Sequence, residues 1–132
     1  MNKTLAESLI KQYPSLYSDG FQFEHGDGWF LLIKELSEKL KDKPITVVQV
    51  KEKFGGLRFY IENSGPVSIL DLAEVNEAIG DVEGASYSIC EMTGEPGKLC
   101  RSRGGTWLKV LSEEQAVKLE YEPYVKKLND GS

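Results

Sequence analysis

The 132-residue sequence has few of the side chains that commonly carry chemistry or cross-link a fold, with two cysteines and one histidine. Cys90 and Cys100 are too few for a disulfide scaffold and predict free, partly buried thiols, with a bridge across a hairpin as the alternative. The single histidine, His25, has no nucleophile and orienting acid beside it in the sequence. This predicts a position in a surface loop rather than a general base.

Long apolar runs are also absent. No segment approaches the roughly 20 residues that a membrane-spanning helix needs, and the first residues lack the apolar stretch and the small-residue cleavage site of a signal peptide. We therefore expect a soluble, cytoplasmic protein with no membrane partner. The length suits a single domain, residues 1–132, and a hydrophobic share of 40% is enough to build its core.

Basic residues are outnumbered, with 16 lysines and arginines against 21 acidic residues and a formal charge of −5. Because binding through phosphates needs clustered cations, this balance argues against nucleic acid as the main partner. The sequence has no P-loop, no dinucleotide-binding glycine motif, no H-E-x-x-H and no G-x-S-x-G. Acid pairs such as Asp71 and Glu74 lie on a predicted exposed helix face and indicate solvated charge rather than a general acid and base. We expect no enzyme and no cofactor.

What the sequence does contain is a clear succession of periodic segments. Apolar spacing predicts helices over residues 4–12, 28–41, 68–83 and 112–121, the second of them capped by Asp27. The stripe of the second helix consists of Trp29, Leu32, Ile33, Leu36 and Leu40. One β-hairpin follows the second helix and another follows the third. The order α-α-ββ-α-ββ-α predicts an α+β fold in which two antiparallel hairpins pack with four helices.

Both predicted hairpins turn at a pair of glycines, Gly55-Gly56 and Gly104-Gly105. In the first hairpin, residues 45–63, this turn fixes the cross-strand pairs, which include Phe54–Leu57 and Lys53–Arg58. Two cations set opposite each other repel, so Lys53 and Arg58 need solvent, an acidic neighbour or an anionic partner. The second hairpin, residues 98–111, contains no acid among its cations.

The segment from Phe59 to Gly97 contains eight acids and no lysine or arginine. Within it, the helix at 68–83 directs one set of apolar residues to the same side: Ile69, Leu72, Val75, Ile79 and Val82. The predicted partner-binding residues lie on the other side: Asp71, Glu74, Glu77 and Asp81, with Glu83 at the edge. A helix usually mixes signs on its exposed face to gain pairing. This acidic stripe therefore suits a basic partner, with a solvated helix face as the alternative.

Three segments carry a family pattern: Gly26-Asp27-Gly28-Trp29, residues 47–60 and residues 90–116. In these segments the chain resembles a family of small bacterial and tailed-phage proteins. The shared features of that family include a metal-binding segment, C-x-x-C-G-x-P-G followed by W-x-x-T-L-C-x-x-H-A. The resemblance implies a zinc knuckle in this part of the chain, but it brings no activity with it.

The sequence keeps one of the four ligand positions of that segment, Cys90. Thr93, Ser112 and Gln115 stand at the others, and their hydroxyl and amide groups are poor zinc ligands. We therefore expect a degenerate knuckle without metal, in which Ser112 and Gln115 form a capping box. Packing is expected to replace the metal through four buried side chains, Met92, Leu99, Trp107 and Leu111. On that interpretation, replacing Trp107 by alanine costs about 3 to 5 kcal/mol.

In its small size, its acidity and its lack of catalytic motifs, the chain resembles the immunity proteins that bacteria encode beside secreted toxins. The sequence therefore predicts a non-enzymatic inhibitor that binds a basic toxin domain directly through its acidic surface. The alternative is a bacterial or phage-derived accessory protein whose degenerate zinc knuckle binds nucleic acid. That alternative requires both hairpins to present their cations on one side of the molecule. The cations concerned are Lys51, Lys53, Arg58, Arg101 and Arg103.

Overall fold

The computed structural model describes residues 1–125 and shows four helices and two three-stranded sheets in that part of the chain. The expected α+β class is confirmed. The helices are α1 (Lys3–Gln12), α2 (Phe30–Leu40), α3 (Ile69–Ser86) and α4 (Glu113–Lys118). The strands are β1 (Phe23–Glu24), β2 (Ile45–Lys53), β3 (Gly56–Asn63), β4 (Lys98–Ser102), β5 (Leu108–Leu111) and β6 (Tyr121–Pro123). None of the four helices is long and apolar enough to cross a membrane.

The first sheet has the order β1-β2-β3, with β2 and β3 antiparallel and β1 parallel to β2. Its hairpin turns one residue earlier than the sequence predicts. Lys53 pairs with Gly56, and the turn consists of Phe54 and Gly55, whose φ angles are 53° and 90°. Such positive φ angles at both central residues are those of a tight two-residue hairpin.

The cross-strand pairs are therefore different from those expected, and Phe54–Leu57 and Lys53–Arg58 are wrong. The observed pairs include Val50–Phe59, Lys51–Arg58 and Glu52–Leu57. Two contacts favour this register. A Cβ on Gly56 would collide with the Tyr87 ring, which is a tertiary contact, and within the turn the Glu52 carboxylate accepts the Gly55 N–H at 2.7 Å. A shift of two residues leaves the same side chains on the core side of the sheet.

The second sheet has the order β5-β4-β6, with both pairings antiparallel. The hairpin between β4 and β5 is confirmed, but its loop covers residues 103–107 and is longer than a two-glycine turn. The last helix is shorter than predicted. It ends at Lys118, Glu120 adopts a φ angle of 61°, and the chain then reverses to pair β6 with β4.

The main core lies between the first sheet, α1, α2 and α3. Four members of the predicted α2 stripe are fully buried, Trp29, Ile33, Leu36 and Leu40. On α3 the buried apolar side chains are Val75, Ile79 and Val82. Ile69 and Leu72 are 89% and 40% exposed, contrary to expectation. The core contacts of α3 therefore begin at Val75, more than one turn into the helix.

Side-chain caps define the starts of α1 and α3. Ser68 Oγ accepts the Asp71 N–H at 3.1 Å and caps α3. The expected role of Asp27 as the cap of α2 is wrong, because α2 is preceded by a 3-10 turn over residues 27–29. The Asp27 carboxylate instead accepts the backbone N–H and Nδ2–H of Asn2 at 2.7 and 3.0 Å. Asn2 is itself the cap of α1, so Asp27 ties α1 to the loop before α2.

Candidate functional site

The acidic face of α3, defined by Asp71, Glu74, Glu77 and Asp81, has a paired half and an unpaired half. Lys43, just before β2, places its Nζ 2.9 Å from Asp71 Oδ1 and 2.7 Å from Glu74 Oε2. The hydrogen bond from Lys43 lowers the pKa of the Asp71 carboxyl, and the bonds to Glu74 and Asp71 raise the pKa of Lys43. A lysine of the same chain thus occupies the first half of the predicted surface.

Glu83, predicted at the edge of the acidic face, is half-buried and attaches α3 to the sheet. Its Oε2 accepts the Phe59 N–H at 2.9 Å, and Ser86 Oγ accepts the Leu57 N–H at 3.0 Å. Both N–H groups belong to β3, which is the edge strand of the first sheet. Side chains of α3 therefore supply the acceptors that a further strand would otherwise provide.

The unpaired half of the acidic face consists of Glu77 and Asp81. Both are exposed, and neither forms an ion pair within residues 1–125. Beside them runs a row of uncharged and mostly small residues that we call the outer ridge: Ile69, Ala73, Asn76, Gly80 and Gly84. These positions are three or four residues apart and so share one face of the helix. A Cβ at Gly80 or Gly84 would meet no atom within 4 Å, so the ridge is open.

The outer ridge could not be recognised from apolar periodicity, which assigned the large apolar residues of α3 to its buried side. Ile69 is 89% exposed, and its neighbour Leu70 is 69% exposed. The signal that does identify the ridge is its glycines. Gly80 and Gly84 weaken a helix interior, and no internal contact of the described structure requires them to be small.

The knuckle corner is defined by Cys90, Glu91, Cys100, Leu111, Ser112 and Ala116, and it follows α3 in the chain. Both thiols are free, as expected, but they are fully rather than partly buried. Burial raises the pKa of the Cys90 thiol, but the polar surroundings of the sulfur, the Thr93 hydroxyl and nearby backbone groups, outweigh burial, and the net shift of the pKa is downward. At Cys100 burial prevails and raises the pKa.

Thr93 and Ser112, two of the residues that stand at ligand positions of the pattern, lie near Cys90. Ser112 Oγ accepts the Gln115 N–H at 3.2 Å, which is the first half of the expected capping box. Across residues 1–125 no group of three or more His, Cys, Asp or Glu side chains is placed to hold a metal ion.

The loop before α2, which is distant in sequence, contacts the knuckle corner. The Gly28 N–H donates to Glu91 O at 2.7 Å, and the Gly26 N–H donates to the buried Glu91 carboxylate at 2.9 Å. A Cβ on Gly28 would collide with the backbone oxygen of Cys90, so only glycine fits there. The Lys109 ammonium lies 3.3 Å from the other Glu91 oxygen. Two segments of the family pattern thus meet at Glu91.

Packing does not hold the knuckle corner in the way expected. Trp107 is 75% exposed and Met92 is 40% exposed, while Leu99 is half-buried. Of the four side chains expected to replace the metal, Leu111 alone is fully buried. Trp107 is exposed because it belongs to the loop that precedes β5. Its backbone N–H donates to the Ser102 hydroxyl at the end of β4. The expected loss of 3 to 5 kcal/mol on truncating Trp107 has no structural basis.

The prediction of a surface position for His25 is also wrong. The side chain is 7% exposed, and its ring centroid lies 5.8 Å from that of Trp29. Nδ1 is 2.8 Å from Gly26 O, whereas Nε2 has no hydrogen-bond partner within residues 1–125. Burial is the main cause that lowers the pKa of His25 to about 4. The histidine is therefore buried, and its imidazole is neutral near pH 7.

Comparison with family models, curated proteins and solved structures finds no match for this chain. A functional conclusion therefore rests on the chain's own surface. On α3, the unpaired half of the acidic face has the clearest chemical character. There Glu77 and Asp81 border the outer ridge.

Proposed function

We propose that the protein is a non-enzymatic inhibitor of the immunity type, which binds a basic toxin domain directly. The observation that carries the proposal is that Glu77 and Asp81 are exposed, without an ion pair in residues 1–125, beside the open outer ridge. Acidic side chains at a rim speed association with a cationic surface, and an apolar centre keeps the complex together once it has formed.

The contact surface that we propose is smaller than the acidic stripe of the sequence. Asp71 and Glu74 already pair with Lys43, so a partner gains less from contacting them. Glu83 is engaged by the Phe59 N–H and contributes to the fold. The proposed contact residues with free carboxylates are therefore Glu77 and Asp81.

The outer ridge supports close approach by a protein partner. In a helix interior each glycine costs about 1 kcal/mol of stability relative to alanine, so Gly80 and Gly84 weaken α3. No contact within the described structure requires their small size. The lack of side chains at these positions lets a partner's backbone come near the helix. Ile69 and Leu70 add exposed apolar area at the start of the same helix.

On this proposal the protein works in the cytoplasm of a bacterium that also makes the toxin. It needs neither a cofactor nor a catalytic group, because occupying the toxin's basic surface is enough to block that surface. Its steering charges act over about 10 Å at an ionic strength of 0.1 M, so binding should weaken as salt is added.

Co-expression with the toxin domain encoded in the neighbouring reading frame tests the proposal. Combined Glu77→Lys and Asp81→Lys substitutions should abolish protection of the host and lower the association rate constant by about tenfold at low salt. The matched control reverses two exposed acids outside α3, Glu35→Lys with Glu62→Lys. With the same change in net charge, the control should protect as well as the parent chain.

A second variant separates the ridge from the charges. Gly80→Leu adds bulk to the outer ridge and should strengthen α3 itself, so any loss of binding is not a loss of folding. We expect faster dissociation from the toxin domain and little change in the association rate. Full protection by both the Gly80 variant and the charge-reversed variant, with each folded, would refute the proposal.

A further inference from the structure

Two large aromatic side chains are exposed at the tips of the two hairpins. Trp107 is 75% exposed and Phe54 is 69% exposed. Single exposed aromatics are common on protein surfaces and need no explanation. What needs an explanation here is that two of them belong to neighbouring segments and that one occupies a strained backbone position.

The tip of the first hairpin contacts strand β5 of the second hairpin. Gly55 and Lys109 form an isolated bridge, and a Cβ on Gly55 would lie 3.5 Å from Leu108 Cβ. Phe54 directly precedes Gly55, and Trp107 directly precedes Leu108. The bridge therefore brings the two exposed aromatics onto adjoining segments, although they are far apart in the sequence.

Phe54 holds a backbone conformation that suits glycine or asparagine better. Its φ angle is 53°, in the left-handed region, which is rare for a bulky residue. The first position of this kind of turn is usually Asn, Asp or Gly, and the exposed Phe54 ring adds nothing to the core. A strained residue that the fold does not need is a reason to look for a function of the ring.

A cation lies near the Phe54 ring, and another belongs to the loop that contains Trp107. The Lys53 Nζ lies 5.6 Å from the centroid of the Phe54 ring, and Arg103 belongs to the same loop as Trp107. Neither Lys53 nor Arg103 forms an ion pair in the described part of the chain. The sequence from Pro96 to Ser112 contains no acid, so the net charge of −5 is not carried by this hairpin.

We propose that Phe54 and Trp107 form a stacking platform for single-stranded nucleic acid, with Lys53 and Arg103 at its phosphates. Every base has a flat face that stacks on an aromatic ring, so two exposed rings bind a strand without reading its sequence. The cations complement the charge of the backbone. This surface involves no residue of α3 and is independent of the toxin contact proposed above.

Trp107 is its own probe for the test. Trp29 is fully buried, so quenching of tryptophan fluorescence by an added oligonucleotide reports on Trp107. Titration with a 12-mer of deoxythymidine or of uridine should quench the emission. With two phosphate contacts, the affinity should fall about sevenfold between 50 and 200 mM salt.

Variants are compared by the anisotropy of a labelled oligonucleotide. Trp107→Ala should weaken binding by about tenfold or more. Phe54→Asn should do the same while relieving the backbone strain, so this variant separates binding from folding. Replacing an equally exposed apolar residue on α2, Leu31→Ala, is the matched control and should leave the affinity unchanged.

Three outcomes would overturn the proposal. The first is no binding of either 12-mer at 50 mM salt. The second is an unchanged affinity in Phe54→Asn and Trp107→Ala. The third is an acidic peptide, polyglutamate, that binds as tightly as the oligonucleotide and competes with it, which would assign the platform to an acidic protein. Protection against the toxin domain should be unaffected in both platform variants, whichever way this test turns out.

Discussion

The two buried regions of the molecule are stabilised in different ways. The main core buries 17 hydrophobic residues between α1, α2, α3 and the first sheet, whereas the knuckle corner buries four. The corner adds partly buried hydrogen bonds to its four apolar side chains. Glu91, which is itself 3% exposed, accepts from the Gly26 N–H and from the Lys109 ammonium.

The difference shows what a small cluster needs in order to stay folded. Each fully buried aliphatic side chain contributes about 1.5 to 3 kcal/mol, so four small residues order a corner only weakly. Buried polar groups then matter more, since a donor or acceptor left without a partner costs about 1 to 3 kcal/mol. Apolar truncations should therefore dominate in the main core, and losses of hydrogen-bonding groups should dominate in the corner.

The largest effect is expected where the two regions meet, at Trp29. Trp29→Ala should lower the free energy of unfolding by about 3 to 5 kcal/mol, because the ring is fully buried in the main core. Its Nε1–H also donates to Ile89 O at 2.9 Å, just before Cys90. Trp29→Phe keeps most of the buried area and should cost about half as much or less. Urea unfolding followed by circular dichroism compares the two, and equal losses would contradict this division.

In the corner, Glu91→Gln should cost about 2 kcal/mol. Glutamine keeps the shape of the side chain but loses the charge that faces the Gly26 N–H and the Lys109 ammonium. Glu95→Gln is the matched control, because Glu95 is exposed on the same turn and should change the unfolding free energy by less than about 0.5 kcal/mol. Equal free energies of unfolding for the two variants, measured with urea, would show that the Glu91 carboxylate does not stabilise the corner.

Acid should weaken the fold through His25, which borders both regions. The folded-state pKa is about 4 and the unfolded value is about 6.5, so the unfolded chain takes up the proton first. Stability is full above pH 6.5 and falls as the pH decreases toward 4, with about 2 kcal/mol lost between pH 7.5 and pH 5. Urea unfolding at both pH values measures the loss. The same drop in His25→Phe would show that another group titrates.

The helix cap in the corner should have a smaller effect. Ser112→Ala removes the acceptor of the Gln115 N–H and should cost about 1 kcal/mol. Ser112→Thr retains a hydroxyl at the cap and should cost only a few tenths of that amount. Thermal unfolding of the two variants measures the difference in stability. If Ser112→Ala loses no stability, water replaces the cap.

The smallest effect is expected for the largest exposed residue of the second hairpin. Trp107→Ala should change the free energy of unfolding by less than about 0.5 kcal/mol, since the ring is exposed and the N–H that bonds to Ser102 is part of the backbone. A loss of several kcal/mol in urea unfolding would restore Trp107 to a packing role and would also weaken its use as a binding probe.

Local patterns predicted the parts of the fold that depend on near neighbours in sequence. The buried stripe of α2, from Trp29 to Leu40, follows from spacing alone, and so does the cap at Ser112. The existence of both hairpins follows from β-rich runs that flank paired glycines. The exact turn of the first hairpin does not, because it depends on Tyr87 covering Gly56 from a distant helix end.

The candidate surfaces were predicted only in part, because partners distant in sequence decide which charges are available. Nothing near Asp71 in the sequence indicates that Lys43 will pair with it, 28 residues away. Likewise, Glu91 meets the Gly26 N–H over 65 residues. Burial of His25 and exposure of Trp107 depend on the same long-range packing, which neither composition nor periodicity contains.

The attachment of α3 to the edge of the first sheet has a consequence for the protein at high concentration. Edge strands offer unpaired N–H groups on which a second molecule can add a strand and begin a fibril. On β3, the outward N–H groups of Leu57 and Phe59 are already taken by Ser86 and Glu83. Two side chains of one helix thus protect this part of the β3 edge from pairing with a second molecule, without a proline or a bulge in the strand.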